Sequence, residues 1–457
     1  MTQDFFLFQG QAITPLDGRN FQKIKNLSQY FSEFALTKYR IFIETEYLKV
    51  LLKNKITRNF TGQENKIISL LSDKFDEKSF VEVKKIEEEI VHDVKAVEYY
   101  IRSKLEKTSL KDVTSFIHFG MTSEDTNNLA YALILKDFKE KIAEAELLQL
   151  INQLAQMAKK YADIPLLART HGQPAVGTTV GKELANYVYR LRKQLLKLRK
   201  FRFEGKCNGA VGNNNALKTV LPEKNWLKIT SDFVFGLGLD PNPYTSQILY
   251  YDNFLEFFQI ISLVNGILHD LCVNLWIYVM LEVFVQIKKE KEVGSSTMPQ
   301  KVNPINFENA EGNLQLANGM MEFFERKLTH SRLQRDLSDS TIRRNFGEAM
   351  GYSILAWKNL MIGLEKLSVN ENRLKAEIEN RWEILTEAIQ TTLRLKNDKK
   401  AYEKMKTLVR GKTINQDEYK KILIDLGLDR NKNLSDLTPS KYIGYATELT
   451  KQLNLKT

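Results

Sequence analysis

Residues 254–287 are the most apolar stretch of this 457-residue chain, and they narrow the possible folds more than any other feature. Glu256, Gln259, Ser262, Asn265, His269, Asp270, Asn274 and Glu282 interrupt them. No unbroken apolar run reaches the ~20 residues of a membrane span. A helix this long and this apolar in a water-soluble chain is expected to be buried nearly all round. The stretch therefore predicts the centre of a helical bundle, and such a bundle can be shared between subunits.

The neighbouring sequence keeps the helical period. Leu135, Phe138, Ile142, Ala145, Leu148, Ile151, Ala155 and Ala158 recur at three- and four-residue steps, as do Leu184, Val188, Leu191, Leu195 and Leu198. Each series predicts one apolar face on a long helix, as a bundle requires. Strand signals are weak, and there is no βαβ pattern, Gly-rich nucleotide loop, internal repeat or low-complexity tract. The expected class is mainly α, in three regions. Residues 1–115 are helical after a loop-like start, and 116–365 hold the long helices. Residues 366–457 carry shorter amphipathic segments, among them 382–395 and a C-terminal helix near 441–453.

The formal net charge is +11, which suits an anionic partner. The basic residues are dispersed among acidic ones, however, so neither nucleic acid nor membrane is expected as the partner. Cys207 and Cys272 make neither a disulfide framework nor a metal cluster, and read as thiols in a reducing compartment. The first ten residues contain Asp4 and lack the pattern of a secretory signal, so a cytoplasmic location is expected. The five histidines are scattered without HxxxH or HxH spacing, and no metal is expected.

Residues 294–313 read GSSTMPQKVNPINFENAEGN. Pro299 and Pro304 forbid regular structure there, and Ser295, Ser296, Thr297, Lys301 and Asn303 supply hydrogen-bonding groups and one cation. Such a loop reads as a lid or anion clamp placed just before a helix. Further polar loops lie at 13–20, 91–96, 120–128, 169–174, 208–215 and 334–345. Two readings stand for several of them. Thr122 and Ser123 with Glu124 and Asp125 suit a helix N-cap, and a cap offers the same free N–H groups as an anion site. Arg332, Arg335, Arg343 and Arg344 around Ser338 and Ser340 suit surface ion pairs or a phosphate cradle. His118, His269 and His330 read as structural or surface groups. His171 sits in Thr-His-Gly-Gln-Pro just before a helix; it reads as a proton-transfer group or as a turn residue.

Taken together, these motifs resemble the fumarase/aspartase superfamily, whose common loop reads GSSxMPxKxNP; residues 294–304 fit it without a gap. Within it the chain resembles the adenylosuccinate lyase family of the longer bacterial type. TPLDGR, HDVKAVEYY, TSEDTNN, RTHGQPA, NGAVGN, NPYTSQ and QRDLSDSTIRRN carry the likeness, from Thr14 to Asn345. The resemblance implies three mostly helical domains and a homotetramer with a twenty-helix core, its active sites shared between subunits. It implies β-elimination of fumarate from adenylosuccinate to give AMP, and from the succinylated aminoimidazole carboxamide ribotide (SAICAR) to give AICAR. No cofactor is implied. Ser295 aligns with the general base and His171 with the general acid. Lys301 and Asn303 would hold the succinyl carboxylates, with Thr122 and Ser123 nearby, and Gln247 and Asn309 would orient the substrate. Arg19, Asn20, His92, Asp93, Arg335, Ser340 and Arg344 would meet its phosphate, ribose and carboxylate groups. The chain departs from the usual pattern at Asn20, Val91, Gln300 and 248–251. A sister lyase acting on argininosuccinate, malate or aspartate, or a non-catalytic protein on the same scaffold, is the alternative.

Overall fold

The computed structural model describes residues 3–287, 298 and 300–453, and they are mainly helical with six short strands. Helix starts follow local chemistry. Ser32 accepts a hydrogen bond from the Ala35 amide at the head of Glu33–Lys53, and Thr61 with Glu64 forms a capping box at Gly62–Asp73.

Two compact units divide the chain. The first comprises Met1–Glu146, Leu195–Gly266 and Asn313–Ala356. Ile41, Leu48, Val83, Val97, Tyr100 and Ile101 form one of its cores, joining Glu33–Lys53, Glu77–Ile90 and Asp93–Leu105. A second nucleus is aromatic. Phe203, Phe254, Phe257, Phe258, Phe324 and Phe346 pack with ring centroids 4.8–6.3 Å apart, mostly tilted or edge-on. This is why the head of the apolar stretch is so rich in phenylalanine.

The second unit comprises Leu147–Gln194, Ile267–Gly312 and Trp357–Thr457. Leu167, Ile378, Leu385, Ile389, Tyr419 and Leu423 form a core within it. Strands Pro165–Thr170 and Gln173–Thr179 make an antiparallel hairpin in which Thr170 pairs with Gln173. His171 and Gly172 are its two turn residues, with φ of 54° and 74°, as a type I′ turn demands. His171 thus caps a hairpin; it does not lie just before a helix, because Gln173–Thr179 intervenes. Near-continuous apolar and β-branched residues on both sides of a Gly-containing turn carried that hairpin signal.

Four further expectations need correction. The face continued through Ile142, Ala145 and Leu148 slips out of phase, since Lys139–Ala143 is a π-helical turn between Ser123–Phe138 and Glu144–Lys160. Past the wider turn Ala143, Leu147, Leu150 and Leu154 are buried and Ala145 is exposed, while Ile151, Ala155 and Ala158 of the expected face remain buried. The apolar helix ends at Met280, after which Phe284–Gln286 pairs with Leu367–Val369 as strands. It is also not buried all round. Its mean hydropathy over 18 residues is high despite the polar interruptions, and Leu263, Trp276 and Met280 are 48%, 39% and 59% exposed. Its neighbours within one chain cover only one side. Finally, the C-terminal helix is confined to Ala446–Lys451.

Val91 breaks a local rule. It closes Glu77–Ile90 in the left-handed region at φ 54° and is 88% exposed. A β-branched residue is strained there, whereas Asn tolerates the conformation. Val91→Asn should stabilise the protein by about 0.5–1 kcal/mol, read as a higher urea midpoint at unchanged m.

Candidate active site

A cavity of about 910 Å³ opens in the first unit. His92, Asp93, Thr122, Ser123, Gln247, Arg335, Ser340 and Arg344 all line it, so four separate stretches of sequence meet in one place. Helix ends dominate the wall. His92 is the N-cap of Asp93–Leu105, its Nδ1 accepting from the Lys95 amide at 3.2 Å. Ser123 opens Ser123–Phe138, and the Thr122 amide donates to Asp125 Oδ2 at 2.9 Å. The cap reading of Thr122 and Ser123 holds, and the capped helix start lies on the cavity wall.

Behind this wall lies a fully buried ion pair, Lys206 Nζ to Asp125 Oδ1 at 3.0 Å, with neither side chain exposed. Asp125 also accepts from the amides of Asn208 and Gly209, each at 3.0 Å. Asn128 Oδ1 accepts from the Lys206 amide at 2.8 Å, and its Nδ2 donates to the Lys206 carbonyl at 3.0 Å. Asn208 Nδ2 donates to Thr245 Oγ1 at 2.8 Å. Gly212 lies against the same segment at φ 84°, where an added Cβ would come within 2.4 Å of the Thr245 carbonyl oxygen. One carboxylate thus ties the start of Ser123–Phe138 to the 206–209 segment and, through Asn208, to the strand of chain leading to Gln247.

The arginines are paired, not free. Residues 338–343 are a short helix, Ser338–Arg343, within what reads in the sequence as a loop. Arg335 Nη1 donates to Asp339 Oδ1 and Oδ2 at 3.0 and 2.8 Å, and its Nη2 to Glu124 Oε1 at 3.2 Å. Arg343 is buried, and both its Nη atoms donate to Glu124, at 2.9 and 3.0 Å. Arg344 reaches Glu33 at 3.1 Å and Asp93 at 3.3 Å, and Arg40 reaches Asp93 at 2.8 Å. Arg332 is exposed, 3.7 Å from Asp336. The ion-pair reading of these arginines therefore holds, as an interleaving of arginines and carboxylates, and Arg335, Arg343 and Arg344 stand on the cavity wall within it. Burial works to raise the Glu124 carboxyl, but Arg343 and Arg335 outweigh it and hold it at about 2. Burial likewise opposes the Asp93 charge, and Arg40, the Val94 amide and Arg344 keep that carboxyl below its ordinary range.

Arg343, a cradle candidate in the sequence, lines the cavity as well, as do Arg40, Glu124, Asn127 and Tyr131, which sequence reasoning did not single out for it. Asp339 stands four residues after Arg335 and four before Arg343, a helical pairing the sequence did display. Nothing local signals the long-range partners Arg40 and Glu124.

Other expected site residues do not line this cavity. Arg19 is exposed and Asn20 precedes the short helix Phe21–Ile24. His171 is exposed at its hairpin tip in the second unit. Lys301, exposed, donates its amide to the Met298 carbonyl at 3.0 Å; Asn303 is half-buried; Asn309, on Ile305–Leu328, accepts from Asn359 Nδ2. All four belong to the second unit. Ser295 lies outside the described residues, as do 294, 296, 297 and 299 of the same loop. His118 is structural, its Nδ1 2.7 Å from buried Glu44 Oε1.

Residues 18–319 match the lyase family model and residues 331–443 the model of the adenylosuccinate lyase C-terminal domain. The adenylosuccinate lyase of Legionella pneumophila (strain Corby) is 44% identical over 446 residues, covering 96% of this chain and 98% of that protein. That of Escherichia coli (strain K12) is 41% identical over 448 residues, covering 97% and 98%. Among solved structures, 3-carboxy-cis,cis-muconate lactonizing enzyme from Pseudomonas putida matches with a TM-score of 0.75 at 17% identity over 98% of both chains. A fumarate lyase from Mesorhizobium sp. BNC1 matches with a TM-score of 0.74 at 17% identity, covering 94% of this chain and 97% of that one. At that identity they show the shared fold.

Two outcomes follow for the buried charges. Removing one partner of the fully buried pair, by Asp125→Asn or Lys206→Met, should cost about 3–5 kcal/mol, and the double variant should cost less than the sum, measured by urea denaturation. Because the Glu124 carboxyl is depressed in the folded state, its stabilisation is present above about pH 4.5 and is lost as pH falls toward 2. Glu124→Gln should flatten that acid limb in a pH series of unfolding free energies.

Proposed function

We infer the reaction from one premise: the chain belongs to the adenylosuccinate lyase family of the fumarase/aspartase superfamily. It is a carbon–nitrogen lyase that releases fumarate from adenylosuccinate to leave AMP, and from SAICAR to leave AICAR, in purine nucleotide synthesis. Likeness at 41–44% identity over nearly the whole chain carries this reading, with eight of the expected binding residues gathered round one cavity in its support.

In the proposed chemistry, Ser295 removes the proton next to a carboxylate of the succinyl group. The electron pair then expels the nitrogen, which His171 protonates. A serine hydroxyl needs a local positive field to act as a base, for which the loop amides and Lys301 are the candidates. The carbanion loads negative charge on that carboxylate, so Lys301, Asn303, Thr122 and Ser123 must bind it better than the ground state. Gln247 and Asn309 orient the substrate. His92, Asp93, Arg335, Ser340 and Arg344 recognise phosphate and ribose, with Arg19 and Asn20 completing the set.

Assembly is part of the proposal. Tyr189, Leu196, Leu263, Trp276, Leu316 and Phe323 are exposed on long helices of the single chain, which supports a homotetramer built on a shared helical core. The exposed His171 hairpin supports supply of the acid to a neighbouring subunit's cavity. The family's three domains are proposed at 1–115, 116–365 and 366–457, and the location as cytoplasmic.

The test follows fumarate by its absorbance. Adenylosuccinate and SAICAR should both be turned over, whereas argininosuccinate, malate and aspartate should not. Ser295→Ala and His171→Ala should each lower kcat by roughly 10²–10⁴ with assembly intact; near-wild-type rates in both would remove the acid–base assignment.

A further inference from the structure

We propose that Tyr251 and Asp339 are positioning residues for the phosphate of the substrate, acting through Arg335. This rests on the reading that Arg335 meets that phosphate.

Neither Tyr251 nor Asp339 lines the cavity, whereas Arg335 does. Tyr251 is buried, and its hydroxyl donates to Asp339 Oδ2. Burial raises its phenol well above the ordinary range, so it stays a donor at every working pH. Asp339 in turn takes Arg335 Nη1 with both oxygens, and Glu124 takes Nη2. The guanidinium is thereby gripped from two sides. Its Nε makes no hydrogen bond to the described residues, so donors remain for a ligand. Side-chain exposure grades the same way: 21% for Arg335, against 7% for Asp339, 4% for Glu124 and 3% for Arg343.

The cluster is charge-balanced, with Arg335 and Arg343 facing Glu124 and Asp339. Arg335 therefore contributes less by net charge than by a fixed fork of donors, which is what planar recognition of a phosphate requires. Ordering a long arginine is a cost met before the ligand arrives. The tyrosine hydroxyl fixes the plane of Asp339, and that plane fixes the guanidinium. Tyr251 also flanks the Arg343 guanidinium, 5.8 Å from the ring centroid, with Tyr131 at 5.1 Å. Removing only the hydroxyl keeps these stacks and isolates the hydrogen bond. Residues 248–251, which depart from the usual family pattern, thereby acquire a role at Tyr251.

The experiment compares kcat and KM of the wild type, Tyr251→Phe and Asp339→Asn on adenylosuccinate and on its dephosphorylated nucleoside. The readout is the ratio of the two kcat/KM values, with the folded fraction of each variant measured by circular dichroism. The ratio should fall about tenfold in each variant, the worth of one hydrogen bond to a charged group. The loss should lie in KM for adenylosuccinate, leaving the nucleoside rate unchanged. A merely structural role would lower both substrates alike and keep the ratio. An unchanged ratio in either folded variant overturns the proposal. Should Tyr251→Phe not fold, Asp339→Asn alone decides it. A wild type that releases no fumarate overturns the family reading and this proposal together, whereas an active wild type with unchanged variant ratios overturns only the proposal.

Discussion

The Lys206–Asp125 ion pair is the interaction around which the cavity wall is organised. Neither side chain is exposed, and taking two charges out of water is costly unless each is fully bonded. Asp125 meets that condition with Lys206 and the amides of Thr122, Asn208 and Gly209. Those four donors come from two regions far apart in sequence, and Thr245 joins them through Asn208. The helix start that presents Thr122 and Ser123 is therefore placed by a carboxylate three residues further along, which in turn is held by a distant lysine. An apolar pair could fill the same volume, but it would not dictate which amides lie where.

A second consequence of burial is the way charge is arranged around the cavity. Arg40, Arg335, Arg343 and Arg344 are interleaved with Asp93, Glu124 and Asp339. Each guanidinium is held by carboxylates of the protein itself, so the wall is stiff and nearly neutral at close range. A site for a multiply anionic ligand built this way selects by donor geometry and by helix ends more than by gross positive potential. The net charge of +11 spread over the surface can still draw anions from a distance.

Much of the fold was legible because helical period is a local property. Leu184, Val188, Leu191, Leu195 and Leu198 are all buried on Val180–Lys200, as their spacing requires. The failures are equally physical. A π-helical turn at Lys139–Ala143 shifts phase without any mark in composition, so Ala145 faces out where a uniform period turns it in. Asp252–Met280 is apolar on more sides than this chain covers, since Leu263, Trp276 and Met280 are exposed, and periodicity read from one stretch cannot count its neighbours.

At the site, the sequence by itself determined the chemical inventory and the reaction class. The hydroxyls, amides, histidines and arginines in their fixed-spacing strings, with the 294–304 loop, carried the family; a string of residues is a local object and needs no coordinates. Only the tertiary structure decided which of these groups share a cavity. It joined His92 and Asp93 to Thr122, Ser123, Gln247, Ser340 and Arg344, and it added Arg40, Glu124 and Tyr131. It showed the arginines of 332–344 paired with carboxylates and put His171 on a hairpin tip. The reason is that ion pairs between residues such as Glu124 and Arg343 span more than two hundred positions. Their energy depends on burial and distance, and neither is written in the order of the residues.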